Sequence, residues 1–227
     1  PSFDPELLDG IERVVISPGL SPRSAPAREL VEAARERGIP VIGEIELFAQ
    51  ALADLSVTRA YSPHVLAVTG TNGKTTVSAL AGRLIEAAGR SVGVAGNIGP
   101  AALTALMAAL EEDRLPEVWV LELSSFQLET THSLKPHAGV VLNLTQDHLD
   151  WHGDMQAYGA AKAKLLAASA VAIVNRDDPA VAKMVERLDG EHVRSFGRDA
   201  PVSTGDLGLD HSHGVAWLAE SAPDDFE

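Results

Sequence analysis

The sequence predicts an α/β protein built on a parallel sheet. Three observations carry that prediction. Short apolar, β-branched runs alternate with helical patterns almost from end to end. From residue 65 onward those runs are continuously apolar rather than alternating, as strands covered on both faces are. Residues 65–76, VLAVTGTNGKTT, join one such run to a helix through a glycine loop. Parallel sheets place their anion-binding turns at such a junction.

Taken in order, Val14-Val15-Ile16 is a short strand stopped by Ser17-Pro18-Gly19. A helix is expected over 27–37, ended by Gly38. A second strand follows over 40–43 and a second helix over 45–52. Residues 54–63 are polar, lack helical periodicity and end in Ser62-Pro63, so they read as a linker. Further strands are expected over 65–69, 91–95, 117–123, 138–144, 171–174 and 192–196, with helices over 74–88, 100–112, 155–169 and 179–188. Beyond Gly197 short pieces rich in Gly, Asp and His end in Val215-Ala216-Trp217-Leu218, which reads as a small antiparallel appendage. Residues 1–60 hold fewer strand–helix units than a doubly wound domain needs. They read as a partial Rossmann-like front domain ahead of a central domain over 61–227.

Composition narrows the function. The chain has 227 residues, 45% of them hydrophobic, which is enough for a substantial core. A net charge of −14 argues against nucleic acid, whose phosphates select basic faces. It does not count against a nucleotide, which needs only local positive charge. With no cysteine there is neither a disulfide framework nor thiolate catalysis. No apolar stretch reaches membrane-spanning length and no secretory signal opens the chain, so a soluble cytoplasmic protein is expected.

The loop at 70–75 has the parts of a phosphate cradle. Glycines let backbone N–H groups turn toward an anion, the helix start adds partial positive charge, and Lys74 adds a full one. Thr75 would place a hydroxyl on a Mg²⁺ ion. Only Thr71 and Asn72 separate Gly70 from Gly73, however, so the loop is shorter than the common nucleotide motif.

Other polar residues fall at strand ends. Glu122 sits inside the apolar run VWVLEL and must find a cation or a proton, because uncompensated burial costs several kcal/mol or more. A Mg²⁺ ligand is one reading and a structural ion pair the other. In the segment after strand 138–144, His148 is a candidate for a metal or an anion, and His152 is weighed evenly between function and structure. Gly96-Asn97-Ile98-Gly99 follows another strand, where Asn97 either meets a ligand or caps the next helix. Ser17-Pro18-Gly19 either binds an anion or turns the chain. Lys162 lies centrally on the apolar stripe of helix 155–169. Met155, Tyr158 and Leu166 fall within about 40° of it and Leu165 about 60° away, whereas Lys164 is about 160° off. A lysine so placed loses its charge, gains a partner, is modified, or snorkels past its neighbours.

Together these segments resemble the Mur ligases, the ATP-dependent amide ligases of peptidoglycan precursor synthesis. The matching stretches are SPGLS at 17–21, GEIELF at 43–48, VTGTNGKTT at 68–76, GNIG at 96–99, LELSSFQLE at 121–129, NLTQDHLDWHG at 143–153 and YGAAKAKLL at 158–166. GTNGKTT is shared with folylpolyglutamate synthases. LELSSFQLE with GEIELF resembles the member that joins D-glutamate to UDP-N-acetylmuramoyl-L-alanine.

The resemblance implies a P-loop ATPase central domain that uses ATP and Mg²⁺, works as a monomer and passes through an acyl phosphate. Gly70, Thr71, Asn72, Gly73, Lys74, Thr75 and Thr76 would hold the ATP phosphates. Thr75 and Glu122 would bind a Mg²⁺, and His148 would belong to a second metal site. Lys162 matches a lysine that becomes carbamylated and so becomes a metal ligand. Lys74, His148 and Lys162 would form the catalytic group. Asn97, Ser124, Gln127 and His148 would lie around the muramoyl-peptide end of the substrate, and Gly19 near the UDP diphosphate. The resemblance also implies three domains, of which the first front strands and the whole rear domain are missing here. The alternatives are another Mur ligase, a folylpolyglutamate synthase, or a nucleotide-binding module without catalysis.

Overall fold

A computed structural model describes residues 3–186 and 188–222. The first segment contains β1 (Val14–Val15), α1 (Arg28–Glu36), β2 (Val41–Ile42) and α2 (Glu44–Arg59). The chain continues through β3 (His64–Thr69), α3 (Lys74–Ala87), β4 (Val92–Gly96), α4 (Ala102–Glu111), β5 (Val118–Glu122) and α5 (Ser125–Glu129). It then forms β6 (Ala138–Val141), α6 (Leu149–His152), α7 (Met155–Ala168), β7 (Val171–Asn175), α8 (Pro179–Ala182), β8 (Val193–Phe196), β9 (Leu207–Ser212) and β10 (Val215–Glu220).

β1 and β2 pair in parallel in a small sheet of their own. The remaining strands form one eight-stranded sheet in the order β10-β9-β8-β7-β6-β3-β5-β4. Every pairing in it is parallel except β9 with β10. This is the α/β, mostly parallel architecture that the apolar runs predict. β3 lies between β5 and β6. The chain leaves β3 toward β4 on one side and later continues from β6 on the other. A crevice for ligands forms where strand order reverses in this way, beyond the carboxyl ends of the strands. The loops after β3, β5 and β6 all open there.

The main core explains a departure from expectation. Residues 54–59, read as linker, are the last turns of α2, which ends at Ala60 in the left-handed region. Leu52 and Leu55 pack on the core, and Ile45 and Phe48 are fully buried in it. Phe48 meets Trp119 of β5 edge-on at 5.3 Å, a contact worth about 1 kcal/mol beyond its buried area. The polar residues that hid the periodicity form the wet face of the helix. Glu46, on the same helix, accepts the amides of His132 and Ser133 at 2.7 and 2.8 Å. That ties α2 to the loop after α5.

Other boundaries shift for local reasons. The strand expected to reach residue 144 stops at Val141, where the chain turns aside into the crevice. The helix expected over 179–188 is α8 followed by a 3-10 turn at Lys183–Val185, and residue 187 lies outside the described residues. The antiparallel appendage is a hairpin of β9 and β10, and it joins the main sheet where Leu207 pairs with Phe196 of β8. The tail at 223–227 lies outside the described residues. Among the described residues no helix is long and apolar enough to cross a membrane.

Candidate nucleotide and metal site

β3 delivers the chain to a loop that turns at Gly70, φ 156°, and Gly73, φ 83°. A side chain at Gly70 would press on Leu142 Cβ at 3.0 Å, so the close approach of β3 to β6 needs glycine there. α3 begins at Lys74, and its first amides lack intrahelical partners, as at any helix start. The Lys74 amine is folded back on its own loop, donating to the carbonyl oxygens of Gly70 at 3.0 Å and Thr71 at 2.9 Å.

Glu122 ends β5 and is buried. Its compensation is two side-chain donors rather than a salt bridge. The Thr75 hydroxyl donates to Oε2 and the Asn97 amide to Oε1, both at 2.9 Å. Asn97 is thus oriented by Glu122. Both oxygens that would ligate a Mg²⁺, those of Thr75 and Glu122, are in contact. Among the described residues no group of three or more His, Cys, Asp or Glu could hold a metal alone. One carboxylate and one hydroxyl therefore fit a Mg²⁺ that arrives with nucleotide phosphates and keeps its waters, which is how that ion is usually bound.

Lys162 is buried on α7, as the helical stripe predicts. Its amine donates to Gly70 O at 2.9 Å and Thr69 Oγ1 at 3.4 Å, and lies 4.7 Å from the centre of the Tyr158 ring. Burial, with the charge of Lys74 adding to it and Asp147 opposing, pushes its pKa down to about 7. An amine so shifted is partly neutral at physiological pH and therefore nucleophilic.

His148 caps α6 with a left-handed backbone, φ 53°. A non-glycine residue there is strained by about 1 kcal/mol. Its ring is exposed, meets Phe126 edge-on at 4.7 Å, and faces Asp147 at 3.4 Å. His152, weighed evenly before, is buried inside the fold. Its Nε2 lies 2.9 Å from Ser125 Oγ and its Nδ1 has no partner among the described residues. Burial pushes its pKa down to about 4, so it is a neutral core histidine.

Ser124 and Gln127 form a capping box on α5. Ser124 Oγ accepts the Gln127 amide, and Gln127 Oε1 accepts the Ser124 amide at 3.0 Å. Gly19 is exposed on the first segment, and among the described residues no hydrogen bond links it to this cluster. Nearby, Ser21 Oγ donates to Trp151 O at 3.1 Å.

Two residues of the site went unrecognised in the sequence. Asn143 accepts two amides of the phosphate loop, and Tyr158 OH lies 3.1 Å from Thr71 Oγ1. The available signal was position. Asn143 follows a strand end beside β3, and Tyr158 precedes Lys162 by one helical turn.

A parallel sheet, a glycine loop leading into α3, and a hydroxyl–carboxylate pair at the neighbouring strand end define an α/β domain of the phosphate-loop class. Residues 68–217 match the Mur ligase middle domain, and the chain belongs to that family. It is 63% identical over 225 residues to the UDP-N-acetylmuramoylalanine--D-glutamate ligase of Bordetella pertussis, covering 99% of this chain and 44% of that protein. It is 56% identical to the protein of the same name from Cupriavidus pinatubonensis. The chain thus spans less than half the length of these relatives. A solved UDP-N-acetylmuramoyl-L-alanyl-D-glutamate--2,6-diaminopimelate ligase superposes with a TM-score of 0.60 at 25% identity, over 94% of this chain and 54% of that one. The MurF ligase of Thermotoga maritima in complex with ADP shares the fold, with a TM-score of 0.55 at 19% identity, over 93% of this chain and 58% of that one.

Proposed function

We propose that this chain is part of an ATP-dependent ligase that joins D-glutamate to UDP-N-acetylmuramoyl-L-alanine. The observation that carries the reading is the 63% identity to a ligase of that name across 99% of the chain. Residues 1–60 would contribute to a front domain that holds UDP near Gly19, and 61–227 to the central ATPase domain. A further domain would supply the D-glutamate site. The protein is expected to act as a cytoplasmic monomer, away from membranes and nucleic acid.

The chemistry joins an acid to an amine. A carboxylate oxygen of the alanyl group attacks the γ-phosphorus of ATP, ADP leaves, and an acyl phosphate forms. The amine of D-glutamate then attacks the acyl carbon, loses a proton, and phosphate departs. Lys74 and the first amides of α3 bind and orient the phosphates, and the amine of Lys74 follows the negative charge that develops during transfer. Thr75 and Glu122 would hold a Mg²⁺, which when bound neutralises phosphate charge. Asn97, Ser124, Gln127 and His148 would surround the muramoyl-peptide end.

Lys162 fits a further role. Its neutral amine adds carbon dioxide to give a carbamate and release a proton. The amine pointing at Gly70 thereby becomes a carboxylate-like group that, with His148, would serve a second metal. The test uses full-length protein with ATP and Mg²⁺, and ADP release is followed with UDP-N-acetylmuramoyl-L-alanine and each of several amino acids, with a longer muramoyl peptide, and with a folate acceptor. Turnover with D-glutamate alone is expected. Turnover only with a folate acceptor or a longer muramoyl peptide would assign another ligase, and nucleotide binding without turnover would indicate a non-catalytic module.

A further inference from the structure

Asn143 lies two residues past the end of β6, and its side chain makes three hydrogen bonds to a loop 71 residues earlier in the sequence. Oδ1 accepts the amides of Thr71 at 3.0 Å and Asn72 at 2.8 Å. Nδ2 donates to the Asn72 carbonyl at 3.0 Å. The side-chain amide therefore pairs with the Asn72 peptide group in both directions, as a neighbouring strand would. A second set of bonds closes on the same loop, since Thr71 Oγ1 donates to Thr145 O at 3.2 Å and accepts the Thr145 amide at 3.1 Å.

From this geometry we infer that Asn143 is a positioning residue for nucleotide. It holds the phosphate loop open in its binding shape and takes the Thr71 and Asn72 amides for itself, leaving anion contact to the loop's last turn and the start of α3. The inference rests on the nucleotide-site reading above.

Two physical points favour it. A loop built from two glycines with positive φ has many alternative conformations, and a chain must lose that freedom to bind. A clamp made before the ligand arrives removes that cost from binding. In addition, a side-chain amide has in one plane an oxygen that accepts from two N–H groups and a nitrogen that donates to the adjacent carbonyl. Aspartate at 143 would keep the acceptor but turn a second oxygen toward the Asn72 carbonyl and add negative charge beside the phosphates.

The test compares full-length wild type with Asn143→Ala and Asn143→Asp. In the absence of nucleotide, hydrogen exchange of the peptide covering residues 69–73 should speed up at least tenfold in Asn143→Ala and by less in Asn143→Asp, which keeps both amide acceptances and loses only the Nδ2 donor. The melting temperature should fall little. The KM for ATP should rise tenfold or more in Asn143→Ala and further in Asn143→Asp, with the KM for the UDP-linked substrate within twofold of wild type. Unchanged exchange of the loop peptide would overturn the clamp. A parallel rise in both KM values would reduce Asn143 to general scaffolding. The exchange measurement uses no nucleotide, so it judges Asn143 even if the protein proves not to bind ATP. ADP titration of wild type judges that second point separately. If Asn143→Ala fails to fold, Asn143→Leu, which fills a similar volume without a polar atom, carries the exchange readout.

Discussion

Lys74 and Lys162 meet on one acceptor. Both amines donate to the carbonyl oxygen of Gly70, at 3.0 and 2.9 Å. Two cations on one oxygen disfavour each other, and the cost falls on the buried partner. Lys162 accordingly drops to about 7, by burial first and by Lys74 second. The charge state of the buried lysine is thus linked to the position of the loop lysine.

Replacing Lys74 tests that link and the phosphate role together. Lys74→Ala in the full-length protein should remove all but a few per cent of ligase activity without unfolding it, because the amine packs against nothing that the core needs. It should also raise the pKa of Lys162, since a like charge has been removed. Side-chain NMR titration of Lys162 measures the shift. Activity within tenfold of wild type, or a Lys162 titration that does not move upward, would count against the arrangement.

Lys162→Ala should be nearly inactive and partly rescued by small carboxylic acids. A carbamate has the shape and charge of a carboxylate, so an added acid can take its place in the cavity left by the side chain. Intact-mass measurement under carbon dioxide provides the second check. No rescue, together with no added mass on the wild type, would leave Lys162 a buried amine held by Gly70 and Thr69.

Glu122→Ala should shift the Mg²⁺ titration of activity upward by tenfold or more, because a hard cation loses its one protein carboxylate. Glu122→Gln should behave similarly, although it preserves shape and burial. A Mg²⁺ dependence equal to that of wild type in both variants would remove the metal assignment.

His152 makes stability depend on pH. Its pKa is pushed from 6.5 down to about 4 in the folded protein, chiefly by burial, with Glu129 opposing and the charges of Arg23, Lys162 and His148 adding. The unfolded chain therefore binds the proton more tightly. The stability contributed by neutral His152 is complete above about pH 6.5 and is lost as pH falls toward 4. Between pH 7 and pH 5 that loss is about 2 kcal/mol. Denaturant titrations of wild type and His152→Asn at both pH values isolate it, and the variant should lose less. Equal losses would show that His152 does not titrate in this window.

Much of the site was legible because its signals are local. Gly70, Gly73, Lys74 and Thr75 occur within six residues, and the backbone needs of an anion loop are written in that spacing. Lys162 was legible through helical periodicity alone, since one stripe of α7 must face the core. Asn143 and Tyr158 were not legible as site residues, because their partners lie far away in sequence. Sequence position favours His148 as a site residue and leaves His152 open; packing alone shows that His148 is exposed on a strained turn and that His152 is sealed against Ser125.

By itself, the sequence determined the α/β class, the parallel sheet, the position of the glycine loop between β3 and α3 and the burial of Glu122 and Lys162. Each follows from a pattern shorter than one strand–loop–helix unit, where backbone sterics and apolar periodicity leave little choice. The tertiary structure alone decided that α2 extends to Arg59, that Glu122 is hydrogen-bonded by Thr75 and Asn97, and that two lysines share the Gly70 carbonyl. Those outcomes depend on which strands become neighbours. β3 sits between β5 and β6 because the chain crosses over twice, and packing energy summed over the whole sheet, rather than any local preference, selects that order.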